Sequence, residues 1–230
     1  MGCALSCLAL FACLLSIDKP GKLTPKEALQ AAQVLVGDWK ATGTPEGTRE
    51  ERQAGFWTET VQVAWKFTDQ DVCLAFTHDK GKHFAKSELR YNVEKAIYEL
   101  TVRTTQDVTQ KYLGLLTLGK QKEPIFTLDR ETDTETHRLV LTVLHANRYV
   151  MRCETRPKGG TSFTKRYQVG ATKEGEPFAV LAKGNECVVS GGKGTIPVSH
   201  NGKTYYVCCS GCKDAFREDP EKWIAAAKKP

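Results

Sequence analysis

Four cysteines fall within 26 residues near the C-terminal end of the chain. Cys187 is followed after 20 residues by Cys208, and Cys208 after three more by Cys212, with Cys209 between the last two. Thiolates at short spacing hold soft metal ions when tight turns or a helix start bring the sulfurs together. We take Cys187, Cys208 and Cys212 as three thiolate ligands. Three thiolates suit Cu(I), which tolerates low coordination, whereas structural Zn(II) takes a fourth donor. Cys209, His200 or an outside molecule would supply it. Adjacent residues of a strand point to opposite faces, so Cys208 and Cys209 reach one ion only if the chain turns sharply between them. His200 taken alone reads as a hairpin surface residue. The competing reading of the cluster is one or two disulfides, which an oxidising compartment allows. Clustering at short spacing favours metal.

Other chemistry finds little footing. There is no Gly-x-Ser-x-Gly, no Gly-x-x-x-x-Gly-Lys-Ser/Thr loop, no His-Glu-x-x-His and no dinucleotide fingerprint. Cys208 or Cys212 with His200 is the one nucleophile–base pairing the tail offers, and nothing in the sequence demands it. A binding protein rather than an enzyme is expected. His78, His83, His137 and His145 are scattered and read as solvated. The net charge of +6 is spread along the chain with no basic run to track a phosphate backbone, which argues against nucleic acid as a partner.

The elements that must position the cysteines are a hairpin and a helix. Residues 196–200 and 203–207 pair as two short strands around Asn201-Gly202, a strong signal for a type I′ turn. The second strand runs into Cys208-Cys209-Ser210-Gly211-Cys212. A helix over 213–217 places Cys212 at its N-terminus, where the dipole favours a thiolate. A further turn starts at Asp219-Pro220 and continues through Trp223.

The body of the chain is β. With 40% apolar and 9% aromatic residues it can build a sizeable core. Thr24, Pro25 and Glu27 read as a helix start, with Leu29, Ala32, Gln33 and Val36 at helical spacing up to Gly37. Trp57, Val61, Val63, Trp65 and Phe67 then alternate with polar residues, a period of two. Further strands are predicted over 72–77, 85–93, 96–104, 111–118, 124–128, 138–144, 148–154 and 162–169. Eight to ten short strands in a meander make an antiparallel barrel or sandwich. Trp39, Trp57 and Trp65 are expected in its core. Cys73 and Cys153 read as buried small residues or as a disulfide pair, and the acidic run 129–135 reads as a solvated turn.

Two stretches resemble known families. The text from Asn201 to Ile224, with Tyr205-Tyr206, Phe216, Asp219-Pro220-Glu221 and Trp223, resembles the YHS and TRASH metal-binding modules. Cys187, Cys208 and Cys212 match the TRASH pattern position by position. At its head this chain has Glu186-Cys187-Val188-Val189, where YHS modules usually open Asp-Pro-Val-Cys. The resemblance implies sensing, trafficking or resistance to heavy metals, copper and zinc among them. Gly37-Asp38-Trp39 after a short helix, followed by the meander, resembles a lipocalin or other calycin-type barrel. That likeness implies a small apolar ligand in the barrel and names none.

Residues 1–17 are apolar or small after Met1-Gly2 and read as a signal peptide or a lipoprotein signal. Cys13 sits in a lipobox-like Leu10-Phe11-Ala12-Cys13. Gly2 and Cys3 also fit a myristoylation and palmitoylation pattern. The expected organisation is a signal at 1–17, a lipocalin-like β-barrel at 22–170, a linker at 171–185 and a small α+β zinc-knuckle-like metal module at 186–227. The whole reads as an exported periplasmic or cell-envelope protein, with a membrane tether through an N-terminal lipid, that binds copper or zinc. The alternative is a lipocalin-like carrier whose tail is a structural metal or disulfide clip.

Overall fold

A computed structural model describes residues 22–69, 71–175 and 185–227, the side chain of His145 excepted. The proposed signal at 1–17 and most of the proposed linker, with Phe178, Val180 and Leu181, lie outside the described residues.

The first helix, α1 (Pro25–Leu29), starts as its sequence requires. Thr24 Oγ1 accepts from the Glu27 amide, Glu27 Oε2 accepts from the Thr24 amide, and Pro25 needs no partner at the first helical position. It tightens into a 3-10 turn, Gln30–Leu35, that ends before Gly37. Ten strands follow: β1 (Gly37–Pro45), β2 (Trp57–Phe67), β3 (Val72–Asp79), β4 (Phe84–Asn92), β5 (Ile97–Thr104), β6 (Thr109–Leu118), β7 (Pro124–Glu131), β8 (Glu135–His145), β9 (Arg148–Pro157) and β10 (Thr164–Lys173). Each pairs antiparallel with the next. β1 also pairs with β10, with Ala41 opposite Ala171, so the sheet closes into a ten-stranded up-and-down barrel without free edges. The molecule is mainly β, as its alternating pattern predicts.

Two local features differ from expectation, and one open choice is decided. A short helix, α2 (Arg49–Gly55), fills the connection from β1 to β2. It is started by a second capping box between Thr48 and Glu51 that the strand pattern overshadows. The acidic run 129–135 is turn at 132–134, as expected, but its ends belong to β7 and β8, where the Arg138 guanidinium donates twice to the Asp129 carboxylate, at 2.8 and 2.7 Å. Cys73 and Cys153 are free buried thiols, the first of the two readings given for them, and form no disulfide. Burial pushes the Cys73 thiol up to about 11.

Inward-facing side chains fill the barrel. Trp39 and Trp65 are fully buried, and Trp39 donates its indole N–H to the Leu35 carbonyl at 2.7 Å. Phe126, Leu74, Leu89 and Leu139 are also fully buried. Trp57 is only half-buried, packed edge-on against His83 and Tyr167. The interior retains a cavity of about 50 Å³ among apolar walls, with Glu59 and His78 Nδ1 3.3 Å apart beside it. Pockets for small ligands run to roughly 300–1,000 Å³. α1 and the 3-10 turn plug one end of the barrel, where the Tyr98 hydroxyl donates to the Ala28 carbonyl at 2.7 Å. Leu29, Ala32 and Leu35 are sealed against it.

The tail lies against that same end. The hairpin of β11 (Ile196–His200) and β12 (Lys203–Val207) turns through Asn201 and Gly202, both with positive φ, as a type I′ turn requires. α3 (Ser210–Glu218) and α4 (Pro220–Ala227) follow. Phe216, Trp223 and Ile224 join the barrel's apolar core, and Trp223 packs on Phe67 with ring centroids 5.3 Å apart. Phe126 sits at the centre of the barrel with no exposure. Phe126→Ala should destabilise the fold by about 3–5 kcal/mol, measured by urea unfolding followed through tryptophan fluorescence.

Candidate metal centre

Three backbone devices bring the sulfurs together. The first is a tight loop after Cys187. The Cys187 amide donates to the Gly192 carbonyl at 2.6 Å, and the Gly191 amide to the Cys187 carbonyl at 2.8 Å, with Gly191 at φ +76. The second is the pairing of that loop with β12: Cys187 bridges Tyr206, and the Val188 amide donates to the Tyr206 carbonyl at 2.9 Å. The third is the start of α3. Cys208 leaves β12, Cys209 takes the N-cap position with extended backbone, and Cys212 falls in the first turn. The helix begins at Ser210, three residues earlier than its polar pattern predicts.

The sulfurs of Cys187, Cys208 and Cys212 all lie within 4.8 Å of one another. Cys208 and Cys212 are 3.5 Å apart. Metal–thiolate bonds of about 2.3 Å put the sulfurs of a planar three-coordinate site about 4.0 Å apart and those of a tetrahedral site about 3.8 Å apart. The trio therefore needs only small side-chain adjustments to close on one ion. Cys187 and Cys212 are sealed from solvent, and Cys208 is half-buried.

The two residues considered for a fourth position differ in their placement. His200 is at the end of β11, with Nε2 2.7 Å from the Glu221 carboxylate on α4. The Cys209 sulfur is 3.9 Å from that of Cys208 but does not belong to the mutually close trio.

Charge is distributed unevenly over the thiols. Hydrogen bonds from Cys208 and Cys212 hold Cys187 far below the usual thiol range, and the same two residues lower Cys209. Cys208 and Cys212, as the proton holders, are pushed well up. A buried cluster does not carry four negative charges, so the reduced, metal-free state keeps protons shared among the sulfurs. The Ser190 amide donates to the Cys187 sulfur at 3.4 Å, and the Ser190 hydroxyl is 3.3 Å from that of Cys208.

The barrel's own helix completes the surroundings, a contribution the tail's sequence could not announce. Gln33 accepts from the Trp65 indole N–H at 2.6 Å and offers its amide N–H₂ to the Cys208 sulfur at 3.7 Å. Gln30 donates to the Ser190 carbonyl, and the Lys26 ammonium to that of Val189. Lys26 also lies over the Trp223 ring, 4.9 Å from its centroid. Burial lowers the Lys26 pKa, opposed by the nearby charges of Cys212 and Cys187. Lys26, Gln30 and Gln33 recur at helical spacing, so one polar stripe of α1 and its 3-10 extension faces the cluster. That spacing was the available signal, and Gln33 within an otherwise apolar face was its clearest part. Supports of this kind orient thiolates and temper their charge.

A comparison with models of known protein families finds no match for this chain, and a search of curated proteins finds none either.

Gly211 sits where α3 meets β2. A Cβ there would lie 1.6 Å from the Trp65 carbonyl oxygen, which is backbone and cannot rotate aside. Gly211→Ala should lift α3 from the barrel, cost about 1–3 kcal/mol and weaken metal binding, tested by thermal melts and metal titration of the same preparation. A bound cation must displace the protons on Cys208 and Cys212, whose pKa values are raised. Apparent affinity should therefore rise with pH through the neutral range, by roughly tenfold per pH unit for each proton displaced, measured with a competing chelator.

Proposed function

We propose that this protein binds a soft heavy metal, copper or zinc, through Cys187, Cys208 and Cys212, and serves the trafficking, sensing or resistance of that metal rather than catalysis. The observation that carries the reading is the buried trio of sulfurs, mutually within 4.8 Å, on three separately braced pieces of backbone. Three sulfurs without a fourth at the same spacing favour Cu(I) over structural Zn(II), which takes four donors. The tail's resemblance to YHS and TRASH modules supports the same assignment. On this reading the barrel is the scaffold. Its interior cavity of about 50 Å³ gives the alternative, a carrier of a small apolar ligand, little room. The apolar stretch at 1–17 supports an exported, periplasmic or cell-envelope location with a lipid tether.

The test is a titration of the full-length, reduced protein with Cu(I) and with Zn(II) in the absence of oxygen, with bound metal and free thiols counted. Tight Cu(I) binding that survives Zn(II) competition and is abolished by Cys208→Ser or Cys212→Ser is expected. No metal uptake, with the same thiols pairing on mild oxidation, would make the tail a disulfide clip and overturn the reading.

A further inference from the structure

The three sulfurs of the trio differ in what can reach them. Cys187 and Cys212 are sealed, at 1% and 0% exposure, whereas Cys208 is half-buried. Cys208 forms part of the wall of a groove of about 1140 Å³ between the 3-10 turn, the plugged end of the barrel and the tail, and Cys187 and Cys212 do not reach that wall. Cys209 also lies along it, outside the mutually close trio. An ion on three thiolates has room for one more donor, and a thiolate is the donor that competes with thiolates for a soft ion. We propose that the groove admits a low-molecular-weight thiol of peptide-like, zwitterionic character, which loads and unloads the metal by exchanging with Cys208. This rests on the metal-binding reading above and adds to it a route and a partner.

Size and polarity of the groove set the class of the thiol. Its volume is that of a small-molecule site, which runs to roughly 300–1,000 Å³. Its walls carry the Gln30 and Gln33 amides and charges of both signs, Asp38 and Glu123 with Lys122. They suit a ligand that has amide, carboxylate and ammonium groups of its own. Gln33 also serves the exchange. Its amide N–H₂ lies 3.7 Å from the Cys208 sulfur, and the Trp65 indole holds it there by donating to its carbonyl at 2.6 Å. The Ser190 hydroxyl stands 3.3 Å from the same sulfur. Such groups stabilise Cys208 as it leaves the metal. The incoming thiol gives up its proton and forms a metal–sulfur bond at the open position. The bond to Cys208 then breaks, and Cys208 takes up a proton. One metal–sulfur bond forms for each that breaks, and no electron is transferred. Further thiols replace Cys187 and Cys212 in the same way and free the ion.

The experiment follows Cu(I) leaving the reduced, loaded full-length chain for a chromophoric chelator, without oxygen, over a range of glutathione concentrations. The release rate should rise in proportion to glutathione. Native mass spectrometry should show one glutathione per chain when Cu(I) is bound and none when it is absent. A folded protein carrying a single surface cysteine should accelerate release far less. Ala31→Trp fills the groove from the 3-10 turn. It should slow the glutathione-dependent rate by about tenfold, about 1.4 kcal/mol in the barrier, with Cu(I) affinity as in wild type. A release rate that ignores glutathione, no copper-dependent adduct, or an Ala31→Trp rate equal to wild type overturns the groove route and leaves the metal reading standing. Equal acceleration by the protein thiol overturns the assignment to a small thiol. A chain that takes up no Cu(I) overturns both readings. The wild-type rate law and adduct decide the matter even if Ala31→Trp fails to fold.

Discussion

Everything about the cysteine cluster depends on how closely α3 is allowed to approach β2. At Gly211 the helix backbone meets the Trp65 carbonyl with no space for a side chain. That contact fixes where the helix begins, and the beginning of the helix fixes Cys209 as N-cap and Cys212 in the first turn. The same stretch of β2 supplies the Trp65 indole that orients Gln33, and Gln33 in turn meets Cys208. One steric boundary thus sets the sulfur positions and one of their supports. A glycine is the only residue that allows it.

The barrel contributes rigidity in a form suited to this task. Closure between β1 and β10 removes sheet edges, and the fully buried Trp39 and Trp65 tie the first strands to the plug. A metal centre held on loops alone would lose precision to loop motion. Here the thiols stand on a hairpin, a tight loop and a helix, all seated on the sealed end of a packed barrel. The presence of Phe67 and Trp223 in one core joins the two parts without a polar gap.

Much of this was legible because it is local. The period of two in β2, the Asn201-Gly202 turn, the Thr24–Glu27 capping box and the spacing of Cys187, Cys208 and Cys212 each report on a few neighbouring residues. α2 carried an equally local signal in Thr48 and Glu51, hidden by the strand pattern on either side. The turn within the acidic run was legible, but the pairing of Asp129 with Arg138 across the sheet was not, because only register reveals it. The helical spacing of Lys26, Gln30 and Gln33 was visible, but what their stripe faces was not. Their partners lie 160 to 175 residues away, and Gln33 read as one more position on a helix face. The division of the cysteines into a close trio and an outlying fourth is likewise a matter of three-dimensional angle, which spacing in the chain does not encode.

That sequence separation has a consequence for how the protein comes into being. The helix that supports the thiols is made early in synthesis, and the cysteines emerge near its end. Until the tail is made, the polar stripe of the plug lacks its partners at Val189, Ser190 and Cys208. A cation held by Cys187, Cys208 and Cys212 would join the loop, the end of β12 and the first turn of α3, so its binding energy would hold the tail's own pieces together. On the proposed reading, metal loading would be the step that locks the tail onto a barrel end already formed.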